Sequence, residues 1–462
     1  MADDFKPSDL ARRDSDRIRG YRWLLDFYHS IQWEGREKWG EKRLTFNYAR
    51  VVIDKVTSYL MSGVGFSVEA VEATAAVEET VRRARVALRR VHEENNVAQL
   101  DFETEIDCAI LGDACYKVTW DDSAGDVRIT APDVQGIYTW RFGDDSSRIW
   151  KVASRYTLTA EEVELLYRSR PAKKEAIVTE VWTDGDFELW LDEGLIERKP
   201  NPYGFIPFVI YPNIREPKKP WGVSDLSAVI EPQRELNRAM SQLSRILELS
   251  GNPIAVLENV EQSEDIAVRP GAVWNIPEDA KAYLLDLLQG GGLRLHIDYI
   301  NLLYRTMHDV AESPRAAFGG TDRDFSGVAL EIELQPLLQK VRRKRVIRAA
   351  AYNRRSRMIL RLLEKYRNQD FSGSRPEVIW GSLLPRDAEK LVGNEQILVQ
   401  SGIHSRRRAM DELGVTDPEA EFGRWLEERA AILRMNRELN SRPSKGSERE
   451  RVAPPPTGAG EE

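Results

Sequence analysis

Apolar residues recur at three- and four-residue steps along most of the chain, and at two-residue steps along one central stretch. The longest helical stripe covers 328–369, with Leu330, Leu334, Leu337, Leu338 and Val341, then Val346, Ile347 and Ala350, then Met358, Ile359, Leu362, Leu363 and Tyr366. That is one face of an α-helix. About forty residues at ~1.5 Å each span roughly 60 Å, too long for one small domain. Pro336 falls inside the stripe, where it removes a backbone donor and kinks the helix. Shorter stripes predict helices over 9–31, 47–61, 72–95 and 97–111.

The period then falls to two. Segments 115–120, 127–130, 136–140, 149–152, 177–182 and 187–191 alternate as strands do. Thr159 and Glu162 form a capping box that opens a helix over 160–167. A last strand, 205–211, carries Pro207 and so belongs at a sheet edge. The Pro-rich run 216–222 marks a boundary. Beyond it lie a helix over 224–250 with Pro232 in its first turns, strands at 254–257 and 272–276, and a glycine swivel at 290–292. A helix over 293–312, the loop before the long stripe, a short strand at 378–380 and helices over 386–400, 405–413 and 418–438 complete the fold. From Ser441 the composition turns to Ser, Gly, Pro and charge, a disordered tail. The class is α+β.

Charge changes the picture of the long helix. Between Lys340 and Arg367 stand twelve Lys/Arg against the single acid Glu364, inside a protein of net charge −8. Any affinity for nucleic acid is therefore local. The only cysteines, Cys108 and Cys115, give no disulfide framework and suit a reducing compartment. The N-terminus lacks the apolar run of a secretory signal, and no stretch approaches the ~18 apolar residues of a membrane span.

Catalytic patterns are missing. There is no G-x-x-x-x-G-K-[ST] phosphate loop, H-E-x-x-H or G-x-S-x-G, and the five histidines are scattered, with His296 and His308 on one helix but twelve residues apart, not at metal-ligand spacing. Asp121–Asp122, Asp144–Asp145 and Asp322/Asp324 are the acids best able to hold Mg²⁺, although acids beside Gly and Ser usually make turns. The expectation is no catalytic residue, no metal and no cofactor. Two rival readings stay open: a Mg²⁺-dependent nucleic-acid-processing enzyme using Asp144 and Asp145, and a non-enzymatic scaffold whose basic helix grips DNA or RNA.

An ordered set of local patterns resembles the portal proteins of tailed bacteriophages, of the long-tailed, SPP1-like type. Upstream is Asn47-Tyr-Ala-Arg-Val-Val-Ile-Asp-Lys55 with Tyr59-Leu60. Then come Trp221-Gly-Val-Ser-Asp-Leu226 before a helix with Leu236-Asn237-Arg238, and Phe318-Gly-Gly320 before Ser326-Gly-Val-Ala-Leu330. Trp380-Gly-Ser-Leu-Leu-Pro385 and Ser401-Gly-Ile-His-Ser405 follow. The resemblance implies a portal layout: a wing over 1–222, stem helix 1 over 223–250, a clip over 251–290, stem helix 2 over 291–313 and a tunnel loop over 314–327. The long kinked helix and a strand returning to the wing would fill 328–385, the helical crown 386–440 and the tail 441–462.

It further implies a ring, typically of twelve copies, at one capsid vertex of the virion, assembled in the host cytoplasm without a membrane. Double-stranded DNA passes through, a separate large terminase supplies ATP hydrolysis, and a head–tail adaptor and the major capsid or scaffolding protein are neighbours. A conduit must touch DNA without gripping it. About eleven net charges per copy, all facing the lumen of a twelve-fold ring, would place on the order of 130 there and hold the duplex. The expectation is therefore that Arg342, Arg343, Arg345, Arg348, Arg354, Arg355 and Arg357 pair with wing acids in 72–107, within or between subunits. The channel wall would use the mixed charges Glu231, Arg234, Glu235, Arg238, Arg245, Arg294, Asp298 and Arg305. DNA would meet the loop residues Arg315, Gly319, Gly320, Thr321, Asp322, Arg323 and Asp324, and Pro336 would turn the long helix away from the channel.

Overall fold

A computed structural model describes residues 5–441 apart from 40, 73, 146, 169–172, 252–253, 259–280, 286–291, 320–326, 384–387 and 416–417. The chain divides into two compact units, residues 1–383 and 384–462.

The first unit opens with α1 (Pro7–Arg13) and α2 (Ser15–Tyr28) in place of one helix over 9–31. The backbone breaks at Asp14, whose carboxylate pairs with Arg17 at 2.9 Å. Next comes α3 (Tyr48–Leu60), capped by the Asn47 side chain, and then β1 (Val64–Ala70), a strand not expected from the sequence although Val64, Phe66, Val68 and Ala70 alternate with Gly65, Ser67 and Glu69. The pair α4 (Ala75–Glu94) and α5 (Val97–Leu111) follows. α5 stops at Gly112, whose left-handed φ of 97° turns the chain straight into β2 (Asp113–Asp121).

β2 forms a hairpin with β3 (Asp126–Thr130). A five-stranded antiparallel meander comes next, of β4 (Ile137–Arg141), β5 (Ile149–Thr159), β6 (Glu175–Trp182), β7 (Asp186–Leu191) and β8 (Gly194–Pro200). Between β5 and β6 sits α6 (Ala160–Tyr167), opened by the expected Thr159–Glu162 capping box. β9 (Phe208–Pro212) returns to pair with β2 as an edge strand, with Pro207 just ahead of it.

The period of two in β2 and β9 has a structural use, because successive strand residues face opposite ways. Ala114, Tyr116, Val118, Val209 and Tyr211 enter one core, while Cys115 and Phe208 enter another, under the meander. The three-stranded sheet is thus a partition between two cores.

The chain then leaves through α7 (Ile230–Gly251). This helix starts later than the expected 224. Ser224 accepts from Leu226 N, and Asp225 N donates to Ala109 O, so the intervening residues are held as turns. Pro232 then sits in the first turn, where its missing donor costs nothing. β10 (Ile254–Glu258) and β11 (Lys281–Leu285) pair antiparallel; the strand expected at 272–276 lies outside the described residues. α8 (Gly292–Val310) packs back along α7.

The long stripe becomes two helices, α9 (Gly327–Glu333) and α10 (Gln335–Arg367), with Pro336 in the first turn of α10. Leu334 N still donates to Leu330 O at 3.0 Å, so the break is a change within one run. β12 (Ser374–Trp380) then pairs antiparallel with β1 over its full length. The second unit contains α11 (Ala388–Gln400), α12 (Arg406–Glu412) capped by Ser405, and α13 (Pro418–Ser441). The tail from 442 lies outside the described residues. Among the described residues no helix is long and apolar enough to cross a membrane.

Candidate functional site

One side of α10 is a ladder of buried cations. Residues four apart on a helix share a face, and Lys340, Lys344 and Arg348 follow that step, with Arg355 two turns on; all four are buried. Each meets an acid brought from far along the chain. Arg348 Nε donates to Glu105 Oε2 at 2.9 Å, and its Nη2 to Asn213 Oδ1 at 2.9 Å. Glu105 Oε1 also accepts from the hydroxyls of Tyr211 and Tyr352, each at 2.9 Å. Arg355 binds both oxygens of Asp101, with Nη2 to Oδ2 at 2.8 Å, and lies 4.5 Å over the Tyr116 ring. Lys344 and Lys340 share Asp225, and Lys340 Nζ donates to Ala311 O at 3.0 Å.

The last cluster ties three elements together: the turn before α7, the end of α8, and α10. Burial opposes the charge on Asp225, but Lys340 and Lys344 more than offset it and hold the carboxyl well below its usual range. Burial pushes the Lys344 ammonium down to about 8, against the pull of Asp225. A carboxyl whose folded pKa is depressed stabilises above its unfolded value, about 4, and loses that stabilisation progressively as pH falls from there toward the folded value. Wild-type melting temperature should therefore drop steeply below about pH 4. In Asp225→Asn that part of the acid limb should flatten, with a lower plateau at pH 7 because two buried ammoniums lose their counter-charge. Melting followed by circular dichroism from pH 3 to 8 checks both.

The remaining arginines expected to pair with wing acids divide. Arg343 pairs at 2.6 Å with Glu312, just past α8 and not in the wing. Arg345 corrects the expectation: it meets carbonyls, donating to Leu60, Tyr59, Ser62 and Gly381 O, and so caps the end of α3. Arg342, Arg354 and Arg357 are exposed and make no ion pair among the described residues.

α7 is rooted by a polar ladder, of which only Asn237 stood out in the sequence, within Leu236-Asn237-Arg238. Gln233, Asn237 and Ser241, each one turn on, are buried against the segment between α2 and α3. Asn237 accepts from Phe46 N at 3.0 Å and donates to Gln32 Oε1 at 2.7 Å; Gln233 accepts from Ala49 N at 3.0 Å; Ser241 accepts from Leu44 N at 3.0 Å. The available clue was the four-residue repeat of polar side chains on an otherwise apolar face.

Of the expected wall residues, Glu231, Arg238, Arg245, Arg294, Asp298 and Arg305 are exposed. Glu235 accepts from the Tyr299 hydroxyl at 3.1 Å. Arg234 is half-buried and turns to Glu34 at 2.6 Å and to the Trp23 ring at 5.3 Å. α8 carries an uncovered apolar line: Leu295, Leu302 and Val310 are 72%, 59% and 42% exposed.

The foot of the loop after α8 is held by aromatic contacts. Tyr304 stands edge-on to His308 at 4.6 Å, and His308 to Phe318 at 5.0 Å, while Nδ1 of His308 donates to Ser313 O at 2.7 Å. Arg315 lies 5.9 Å from the Tyr304 ring, and Gly319 takes a left-handed φ of 83°. Gly320, Thr321, Asp322, Arg323 and Asp324 lie outside the described residues.

Of the acids offered for Mg²⁺, Asp121 and Asp145 serve turns. Asp121 Oδ1 accepts from Ser123 and Ala124, and Asp145 Oδ1 accepts from Ser147 N and Oγ. Those bonds, led by the serine hydroxyls, lower both carboxyls. Cys108 and Cys115 are buried, which pushes their thiols up and away from nucleophilic use.

No curated protein matches the chain significantly. The phage portal protein family, SPP1 Gp6-like, matches residues 11–434 of the 462, and the chain belongs to that family.

Proposed function

We propose that the chain closes into a ring of twelve copies in which α7 and α8 wall a channel for double-stranded DNA. As a phage portal protein it acts at the capsid vertex, in genome packaging and ejection. What carries the ring reading is the stem. α7 is fixed to the body by Gln233, Asn237 and Ser241, while α8 leaves Leu295, Leu302 and Val310 in water. An apolar helix line that nothing covers among the described residues is the face a neighbouring copy would bury. The exposed wall charges alternate in sign, which permits weak contact with a duplex and opposes tight binding.

On this reading the protein is structural. A large terminase docks on the ring to drive DNA, a head–tail adaptor follows, and the major capsid or scaffolding protein surrounds it during assembly in the host cytoplasm. The loop over 314–327 is the part that meets phosphate, with Arg315 at its foot, and Pro336 redirects the chain beyond it.

Negative-stain images of the purified protein should show rings with a central hole. Leu302→Arg should convert them to free subunits with an unchanged circular dichroism spectrum. Persistence of the rings in that variant would remove α8 from the interface. Mg²⁺-dependent cleavage of labelled DNA, lost in Asp145→Ala, would replace the conduit with an enzyme.

A further inference from the structure

The outer face of α10 is as uncompensated as its inner face is paired. Arg357 and Arg361, one turn apart, point away from the side that carries Arg348 and Arg355, as the helical rotation of about 100° per residue requires. Both are exposed, and neither forms an ion pair among the described residues. Arg354 lies beside them. Desolvation lowers its guanidinium and the like charge of Arg357 lowers it further, with Asp184 opposing. Val346, 72% exposed, continues the same face toward the start of the helix.

α5 has the mirror pattern. Its inner side gives Asp101 and Glu105 to α10. Its outer side exposes Glu103 and Asp107, also one turn apart, and neither pairs with a cation among the described residues. Burial, then Asp133 and Glu103, hold the Asp107 carboxyl above its usual range. The inner faces of the two helices meet, so the outer faces look in opposite directions across the layer they form.

We propose that Arg357 and Arg361 on the outer face of α10 dock against Glu103 and Asp107 on the outer face of α5 in the adjacent copy of this chain. Three observations favour a second copy as the occupant. The charges are opposite, the i,i+4 spacing is the same on both sides, and the two faces are turned away from each other. A ring needs that last arrangement, because head-to-tail closure joins two different surfaces. The pairing rests on the ring reading above and supplies a second contact, in the wing, beside the stem. Guanidinium–carboxylate pairs suit it, since planar Arg can bind carboxylate through two parallel bonds.

Native mass spectrometry of the full chain provides the test. R357E/R361E and E103K/D107K should each lose the ring and run as 52.9 kDa subunits, with circular dichroism melts matching the dissociated wild type. Mixing the two variants should restore rings of alternating subunits, because every interface in such a ring again joins opposite charges. Combining all four changes in one chain should restore homogeneous rings. Intact rings in both variants, or loss that neither mixing nor combination repairs, would overturn the pairing while leaving the ring standing. A drop in DNA affinity with rings unaffected would assign the arginines to nucleic acid instead. Wild-type protein that is monomeric at all concentrations would sink the ring reading itself.

Discussion

Arg348→Met should cost about 3–5 kcal/mol of stability, the range for removing one partner of a buried ion pair. The reason is what it leaves behind. Glu105 is fully buried and would keep its two tyrosine donors, Tyr211 and Tyr352, but no positive charge. Asn213 would lose donors to both its carbonyl and its side-chain oxygen. Glu105→Leu should be comparably damaging, because it strands a guanidinium in the same core. The double variant should recover much of the loss, since apolar groups of similar volume often replace buried pairs at little cost. Denaturant unfolding of the four proteins gives the coupling energy directly. Near-additive losses would mean that the two side chains act independently, contrary to the geometry.

That cycle also isolates what the sequence could and could not disclose. The capping box at Thr159, the alternation of β2 and the edge position of β9 were legible because each depends on residues close in sequence. The run of cations in α10 was legible as charge but not as burial. Lys344, Arg348 and Arg355 repeat at helical spacing just as a solvated face would. Their acids lie 119, 243 and 254 positions away, and nothing local links them. Pairing of Arg348 and Arg355 with acids of 72–107 was expected, but distance in sequence hid which acids they are and that the pairs are buried.

Other misses have local causes. β8 is exposed along its whole length, so Leu-Ile-Glu-Arg-Lys had no buried face to impose a period of two. The start of α7 moved from 224 to Ile230 because Ser224 and Asp225 are committed to the end of α5. The charges of α7 and α8 were legible as mixed sign, but not the partners of Arg234, since only the fold brings Glu34 and Trp23 to it. The family, by contrast, was readable from ordered short patterns across the whole chain, each weak alone.

Gly222→Ala should be as damaging as the loss of Arg348, at about 3 kcal/mol or more, and for a steric reason. A Cβ there would lie 2.3 Å from the carbonyl oxygen of Gly112 and 2.7 Å from Pro212 Cβ. The first obstacle is backbone, so no rotamer change relieves it. Gly112 cannot withdraw, because its N–H is bonded to Cys108 O, its carbonyl accepts from Asn213 N at 2.7 Å, and its φ of 97° admits little else. Gly222 N in turn donates to Asp113 at 2.8 Å, and Asp225, three residues on, is the shared partner of Lys340 and Lys344. Displacing this crossing would therefore disturb the anchor from which α7 departs, and rings should be lost along with stability. Gly20→Ala is the matched control: it lies inside α2 with nothing within 4 Å of the added carbon. There the change should stabilise by about 0.5–1 kcal/mol through helix propensity. Unfolding midpoints and negative-stain images of the two variants separate the cases. A Gly222→Ala protein with wild-type stability and intact rings would show that the Gly112–Gly222 crossing can open without consequence.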